Sequence, residues 1–411
     1  IRDRVGKEQI KVKYDKFAMA QMNRSMVFDL IRRKGPISRA EIARTIGLSI
    51  PTVMKITEEF SHKQFVQDVG KGESSGGKRP ELLELVPDSK YIIGVGVGRS
   101  KTNVLMMNLA GEVFIREIME TGGTAVPEVW ISRLIQVIEN VIRESGLSRK
   151  QILGMGIGMP GILDEKSGKV LFSPDFKWEN VDMLTPIRER FKMDITIENA
   201  NRALAMGEYY FGAGVDSRNF LVVNLGHGIG SAIMREGEFY RGSSGSSGEI
   251  GHIILEKNGP KCNCGNLGCL EAIASGNAIA RDAKIAVLEG NATKIMELVN
   301  EDINRIEAKT VFEAARLGDR LAIQITERAM QYIGIGLANY INLLDPDLII
   351  LFGGLTNAGD IFLKKVKEVL RERQMKFAGR QVKLVISQMG ENGTAVGSAS
   401  LVLKKFIKYG N

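Results

Sequence analysis

Cys262-Asn263-Cys264-Gly265-Asn266-Leu267-Gly268-Cys269, CNCGNLGC, holds all 3 cysteines of a 411-residue chain. So tight a cluster admits three readings: a disulfide with a spare thiol, a redox centre, or a metal site whose fourth ligand lies elsewhere. The rest of the sequence chooses among them. No window holds the roughly 18 uninterrupted apolar residues of a membrane span. The charged start, IRDRVGKEQIKVKYDK, lacks the apolar core of a secretory signal. A cytoplasmic protein without a membrane partner is therefore expected. In that reducing compartment clustered cysteines hold metal or act as thiols more often than they form a lasting disulfide, and the odd count agrees.

At 411 residues the chain exceeds the size at which one core stops growing, so two or three domains are expected. An apolar fraction of 44% and a charged fraction of 25% belong to an ordinary globular protein and exclude a fibre or a disordered chain. Charge is uneven. Residues 1–90 carry 18 Lys and Arg against 12 Asp and Glu, a net of +6 within a chain total of +8. A basic first fifth on a nearly neutral body points to a polyanion-binding module joined to a domain with another task.

That basic segment has a pattern. In NRSMVFDLIRRKGPISRAEIARTIGLSIPTVMKITEEFSHKQFV (residues 23–66), Met26, Val27, Leu30 and Ile31 recur at helical spacing until Gly35-Pro36 stops the helix. Ser38 with Glu41 forms a capping box that opens a short helix with apolar face Ile42, Ala43 and Ile46, and Gly47 ends it. Pro51 then starts a third helix burying Val53, Ile56 and Phe60. Two short helices joined by a glycine-containing turn make a helix-turn-helix, whose last helix enters the major groove by its N-terminal end.

Next, QFVQDVGKGESSGGKRPELLELV (residues 64–86) reads as two strands around a glycine-rich basic tip, a wing whose lysine and arginine follow phosphates or enter a narrow minor groove. The residues expected to touch DNA are Ser38, Arg39, Ser49, Pro51, Thr52 and Lys55 of the helices, and Gly76, Gly77, Lys78 and Arg79 of the wing. The organisation expected is an N-terminal arm or helix over residues 1–20, a winged helix-turn-helix over 21–87, and a large domain over 88–411.

From Tyr91 the grammar changes to α/β. IIGVGVGRS (residues 92–100) and VVNLGHGIGS (222–231) resemble each other, each an apolar strand running into closely spaced glycines, a weak internal repeat that suggests two related lobes. The order of GMPG (158–161), ENAN (198–201), GHGIGS (226–231), GEIGH (248–252), CNCGNLGCLE (262–271) and LFGG (351–354) is similar to the ROK family of bacterial sugar kinases and sugar-responsive repressors. Of these motifs the His-to-Cys segment is the specific one. The resemblance covers roughly residues 88–411, and GGKRP in the wing resembles the repressor branch.

The resemblance implies a two-lobed actin-like ATPase fold with sugar in the cleft. Lobe 1 is expected at about 88–203 plus a C-terminal helix at about 393–411, and lobe 2 at about 204–392. It also implies that Pro160, Gly161, Asn199, Glu249, His252 and Glu271 line the sugar site. The spacing C-x-C-x₄-C with His252 ten residues earlier supplies Cys262, Cys264, Cys269 and one imidazole, a set suited to a closed structural zinc site. His252 then serves both the ion and the sugar.

The chain departs from the kinase pattern where chemistry would occur. The family's phosphate loop has an aspartate where Gly96 stands, its Asn-Asp pair is Asn199-Ala200 here, and His227 replaces a threonine. Loss of a general base alone typically costs about 10²–10⁴ in rate. A non-enzymatic, DNA-binding repressor of carbohydrate-utilisation genes is expected, acting as a homodimer or dimer of dimers on a pseudo-palindromic operator, and released from or tuned on it by a sugar. The competing expectation is an ATP-dependent sugar kinase with a DNA-binding appendage.

Overall fold

The computed structural model describes residues 16–72, 79–122, 126–376 and 382–409. Residues 1–15 of the expected arm and Gly76, Gly77 and Lys78 of the expected wing tip lie outside the described residues.

The N-terminal head comprises α1 (Lys16–Lys34), β1 (Ile37–Ser38), α2 (Arg39–Ile46), α3 (Ile50–His62), β2 (Val66–Lys71) and β3 (Glu81–Leu85). Local chemistry sets the helix ends. The Ser38 hydroxyl accepts from Glu41 N at 3.2 Å, and Gly47 closes α2 at φ 71°, a left-handed cap that glycine adopts without strain. Ser49 caps α3, with a proline in its first turn. Val27, Phe28, Ile31, Ile42, Val53, Thr57 and Phe60 are buried, while Ile46 and Ile56, expected in the core, are only partly covered. Strands β1, β3 and β2 form one antiparallel sheet; β2 and β3 are the two wing strands expected from the sequence, and β1 adds a third that was not.

Lobe 1 begins with the meander β4 (Tyr91–Val97), β5 (Lys101–Asn108) and β6 (Val113–Glu120), followed by α4 (Pro127–Ser145) and β7 (Ile152–Met159). A small sheet of β8 (Ile162–Asp164), β9 (Lys169–Ser173) and β10 (Trp178–Asp182) precedes α5 (Leu184–Phe191), β11 (Ile195–Asn199) and α6 (Ala200–Phe211). Lobe 2 holds β12 (Phe220–Leu225), β13 (Ile229–Arg235), β14 (Glu238–Phe239), α7 (Leu270–Ala274), α8 (Gly276–Leu288), α9 (Lys294–Leu298), α10 (Ala308–Arg316) and α11 (Arg320–Leu344). It ends with β15 (Leu348–Phe352), α12 (Asp360–Arg373) and β16 (Lys383–Ile386), and α13 (Gly393–Tyr409) closes the chain.

The two five-stranded sheets share one topology. Their orders are β11-β7-β4-β5-β6 and β14-β13-β12-β15-β16, each with an antiparallel meander followed by two parallel strands. The similar stretches at 92–100 and 222–231 fall on the same hairpin of each sheet, so the repeat seen in the sequence is a repeat of structure.

Most of the glycines in β4 and β7 serve neither turns nor phosphates. A Cβ on Gly94, Gly96 or Gly156 would meet the backbone of α13 at 2.1, 2.6 or 1.8 Å, so the α13 backbone lies directly on a glycine-paved sheet face. Helix α6 packs against α13 just as closely: a Cβ on Gly397 would fall 1.9 Å from the Ala203 carbonyl. Because α6 runs unbroken through the expected 203/204 boundary, the change of lobe follows Phe211.

Head and body share a core. Phe406 of α13 meets Phe65 edge-on at 4.8 Å between ring centres and Phe28 at 6.4 Å. On the neighbouring flank the Arg32 guanidinium lies over Tyr210 and Phe211, and Arg33 pairs with Asp216 at 2.9 Å. Among the described residues no helix is long and apolar enough to cross a membrane.

Candidate metal centre, cleft and nucleic-acid interface

His252 ends a short 3₁₀ turn, Ile250–His252, and faces the cysteine loop. Its Nδ1 lies 3.6 Å from Cys262 Sγ, Cys264 Sγ lies 3.6 Å from Cys269 Sγ, and the four ligand atoms all fall within 4.8 Å of one another. Metal–sulfur bonds of about 2.3 Å in a tetrahedron give ligand edges of about 3.8 Å, so the cluster fits a four-coordinate ion with little adjustment. Gly268 makes the loop possible, since at φ 70° its Cβ would lie 1.6 Å from the Glu256 carbonyl. The cysteines are free thiols, and burial raises the pKa of Cys262 and Cys269 while a backbone hydrogen bond from Asn266 lowers that of Cys264. With Nδ1 turned to the thiols, Nε2 of His252 is the nitrogen left for another partner.

The other residues expected around sugar converge from both lobes. Asn199 caps α6, its amide oxygen accepting from Asn201 N and Arg202 N while Nδ2 donates to the Gly161 carbonyl at 3.0 Å. Gly161, beside Pro160, has φ 116°, and a Cβ there would lie 2.3 Å from the Phe172 carbonyl. Glu271 accepts from Ile229 N at 2.8 Å, which fixes it beneath the β12–β13 hairpin. Glu249 feels the charges of His252, Arg202 and Glu271, and its pKa is raised because burial outweighs the attraction of His252 and Arg202.

A salt-bridge network absent from the expectations spans the cleft. Glu198, 3% exposed, accepts Arg202 Nε at 2.6 Å on one oxygen and Arg241 Nη2 at 2.5 Å on the other. Arg241, in the loop after β14, also pairs with Glu165, and Arg202 Nη1 reaches the Gly245 carbonyl at 2.8 Å. This latch ties β11 and α6 to the lobe 2 loop that leads to Glu249.

In the head, the structure takes Ser38 off the expected DNA-facing surface: it is buried and spent on its cap. Arg39 braces α2 against α3 and β3 through Thr57 Oγ1 at 3.0 Å and Glu81 at 3.1 Å. Ser49 Oγ and Thr52 Oγ1 bond each other at 2.7 Å. Pro51 and Lys55 are exposed as expected, accompanied by Ile50 and Met54, which the sequence reading did not single out. Arg79 is exposed, two residues before the second wing strand.

A model of the ROK family matches residues 92–405. The chain belongs to the ROK family. It is 29% identical over 391 residues to the xylose repressor of Caldicellulosiruptor bescii, covering 95% of this chain and 98% of that one. A ROK family transcriptional regulator, a homologue of the Escherichia coli MLC protein, superposes with TM-score 0.80 at 27% identity, covering 95% of this chain and 97% of that chain. A ROK glucokinase of Streptomyces griseus, in complex with glucose and AMPPNP, superposes with TM-score 0.67 at 30% identity, covering 76% and 98%. The kinase matches the body alone in extent, whereas the regulator matches nearly the whole chain. The two-lobed, actin-like body with an N-terminal winged head is thus the architecture of a ROK regulator.

Within that ROK body the two glycine loops face each other, and Ser100 Oγ lies 3.2 Å from His227 Nε2. A side chain at Gly96 would press on Ala395 N, and Ala200, at the start of α6, is buried.

Proposed function

We propose that this ROK protein is a sugar-responsive transcriptional repressor. The observation that carries the reading is the continuity of α6: one end is capped by Asn199 in the cleft, and the other holds Arg32 of the head on Tyr210 and Phe211. A ligand that moves Asn199 moves the surface on which the head sits. Two copies would present two heads to a pseudo-palindromic operator.

The cleft suits a carbohydrate, because a desolvated polyol needs convergent partners for its hydroxyls. Glu249, Glu271, the free Nε2 of His252 and the remaining Nδ2 hydrogen of Asn199 supply them, with Pro160 and Gly161 as wall. Zinc suits the Cys₃His set, and four protein ligands leave no open position, so its role is to hold His252 and the loop carrying Glu271. DNA contact falls to Pro51, Lys55, Arg79 and the glycine-rich tip with Gly76, Gly77 and Lys78; Thr52 and Ser49 contribute from the helix start.

Phosphoryl transfer is disfavoured. Neither Gly96 nor Ala200 offers a carboxylate, and Glu198, the nearest candidate base, has both oxygens on guanidinium groups. The repressor named for xylose and the regulator aligned over 95% of the chain support the same conclusion.

The test is titration of operator-bound protein with pentoses, hexoses, amino sugars and polyols. A sugar that binds must weaken operator affinity, and operator must weaken sugar affinity by the same factor. Sugars that bind without changing DNA affinity, or sugar-dependent ATP consumption, refute the reading.

A further inference from the structure

Ile50 and Met54 stand one turn apart on α3, 51% and 43% exposed, at the end of the helix that a winged head presents to DNA. The adjoining stripe of the helix is sealed into the core by Val53, Thr57 and Phe60, which leaves Ile50 and Met54 on its uncovered flank. The neighbouring hydroxyls, Ser49 and Thr52, spend one hydrogen bond on each other. What α3 offers outward at its start is therefore an apolar pair, with Pro51 and Lys55 beside it and Glu58 a turn farther along.

We infer that Ile50 and Met54 read thymine, by packing on its C5-methyl in the major groove. Thymine is the only base whose major-groove edge carries an apolar group, and contact with that methyl is how apolar side chains discriminate sequence. The occupant follows from position and charge. The pair continues the surface of a helix-turn-helix, Lys55 lies against it, and the first 90 residues are the basic part of the chain. An isoleucine and a methionine at i and i+4 cover two neighbouring base steps, so the operator half-site should hold two thymines under the start of α3. The remaining discrimination comes from Lys55 and from the wing.

The inference rests on the DNA-binding reading, and the experiment separates the two. Duplexes are selected from a random library with the full chain, and each thymine of the selected half-site is then replaced singly by deoxyuridine, which removes only the methyl. Two replacements should each weaken binding about fourfold, the value of one buried methyl-sized group. Ile50→Ser should abolish the penalty at one position and Met54→Ser at the other. Both side chains are exposed, and unchanged thermal unfolding checks that the variants fold. Uracil penalties that are absent, or equal in wild type and variants, overturn the inference while leaving DNA binding intact. Failure to select any duplex removes the DNA-binding reading and this inference with it. If the serine variants alter only the sedimentation of free protein, the patch joins copies of the chain and the inference is wrong.

Discussion

The Arg32 guanidinium lies 4.9 Å from the centre of the Phe211 ring, at the far end of the helix whose first turn Asn199 caps. Twelve residues at about 1.5 Å each make α6 a rod of roughly 18 Å between cleft and head. Its tight seating on α13 leaves little room to bend, so a displacement at Asn199 is delivered to Arg32.

Arg32→Met keeps most of the aliphatic stem but removes the charge over the two rings. Operator and sugar should each still bind, while the factor by which one weakens the other falls toward 1. Coupling of this kind is typically about 5–150-fold, so a residual factor below about threefold is expected. Isothermal titration with each ligand, in the presence and absence of the other, measures it. Retained coupling would show that the signal takes another route, such as the Phe28, Phe65 and Phe406 cluster.

Cys264→Ser should lose the metal and loosen the loop that carries Glu271, because binding energy at such a site is also folding energy. Cys264 is the exposed member of the set, so its substitution leaves no buried gap. Metal content by mass spectrometry and thermal unfolding with and without chelator are the checks. Wild type should fall toward the variant's melting temperature on chelation, and the variant should not move. Metal retained by the variant would remove Cys264 from the ligand set.

Chemistry confined to a few neighbouring residues was legible in the sequence. The Ser38 cap, the Gly47 stop and the Cys₃His spacing depend on local geometry, and each is where it was expected, whereas the Ser49 cap of α3 was not foreseen. Side chains whose fate depends on distant partners were not. Ser38 reads as a surface cap until β1 pairs with β3, and Arg39 reads as a free cation until Thr57 and Glu81 approach it. Helical periodicity marked Val27 and Ile31 as apolar but could not say that Phe28 would meet α13 from the other end of the chain. The strand glycines stood out in the sequence, but nothing there named the helix they admit, because a neighbouring helix leaves no mark in the strand's own sequence. The Glu198–Arg241 pair, 43 residues apart, was invisible for the same reason.

Arg241→Ala should open the latch. It leaves Glu198, 3% exposed, with Arg202 as its one guanidinium partner, so a destabilisation of about 1–3 kcal/mol is expected. Glu198→Gln should then cost less in the Arg241→Ala background than in wild type, since one of its two guanidinium partners is already gone. A double-mutant cycle by denaturant unfolding gives the coupling energy. Additive losses would mean that the pair contributes nothing in solution.

Glu208, on the buried face of α6, gives the pH dependence. Its side chain accepts from Ser387 Oγ and from Ala213 N at 2.8 Å, yet burial outweighs both and raises its pKa above the ordinary 4.5. A carboxyl with a raised folded-state pKa binds its proton more tightly in the folded than in the unfolded chain. Its contribution to stability is therefore fully present below the unfolded value and is lost as pH rises through the folded one. Glu208→Gln removes that loss while keeping the shape and an acceptor, and Ser387 can turn its hydroxyl to accept from the new amide. The melting temperature of the variant minus that of wild type should therefore increase from pH 5 to pH 8. A difference that shrinks over that interval would mean that the two donors hold Glu208 ionised in the folded protein, reversing the sign of its contribution.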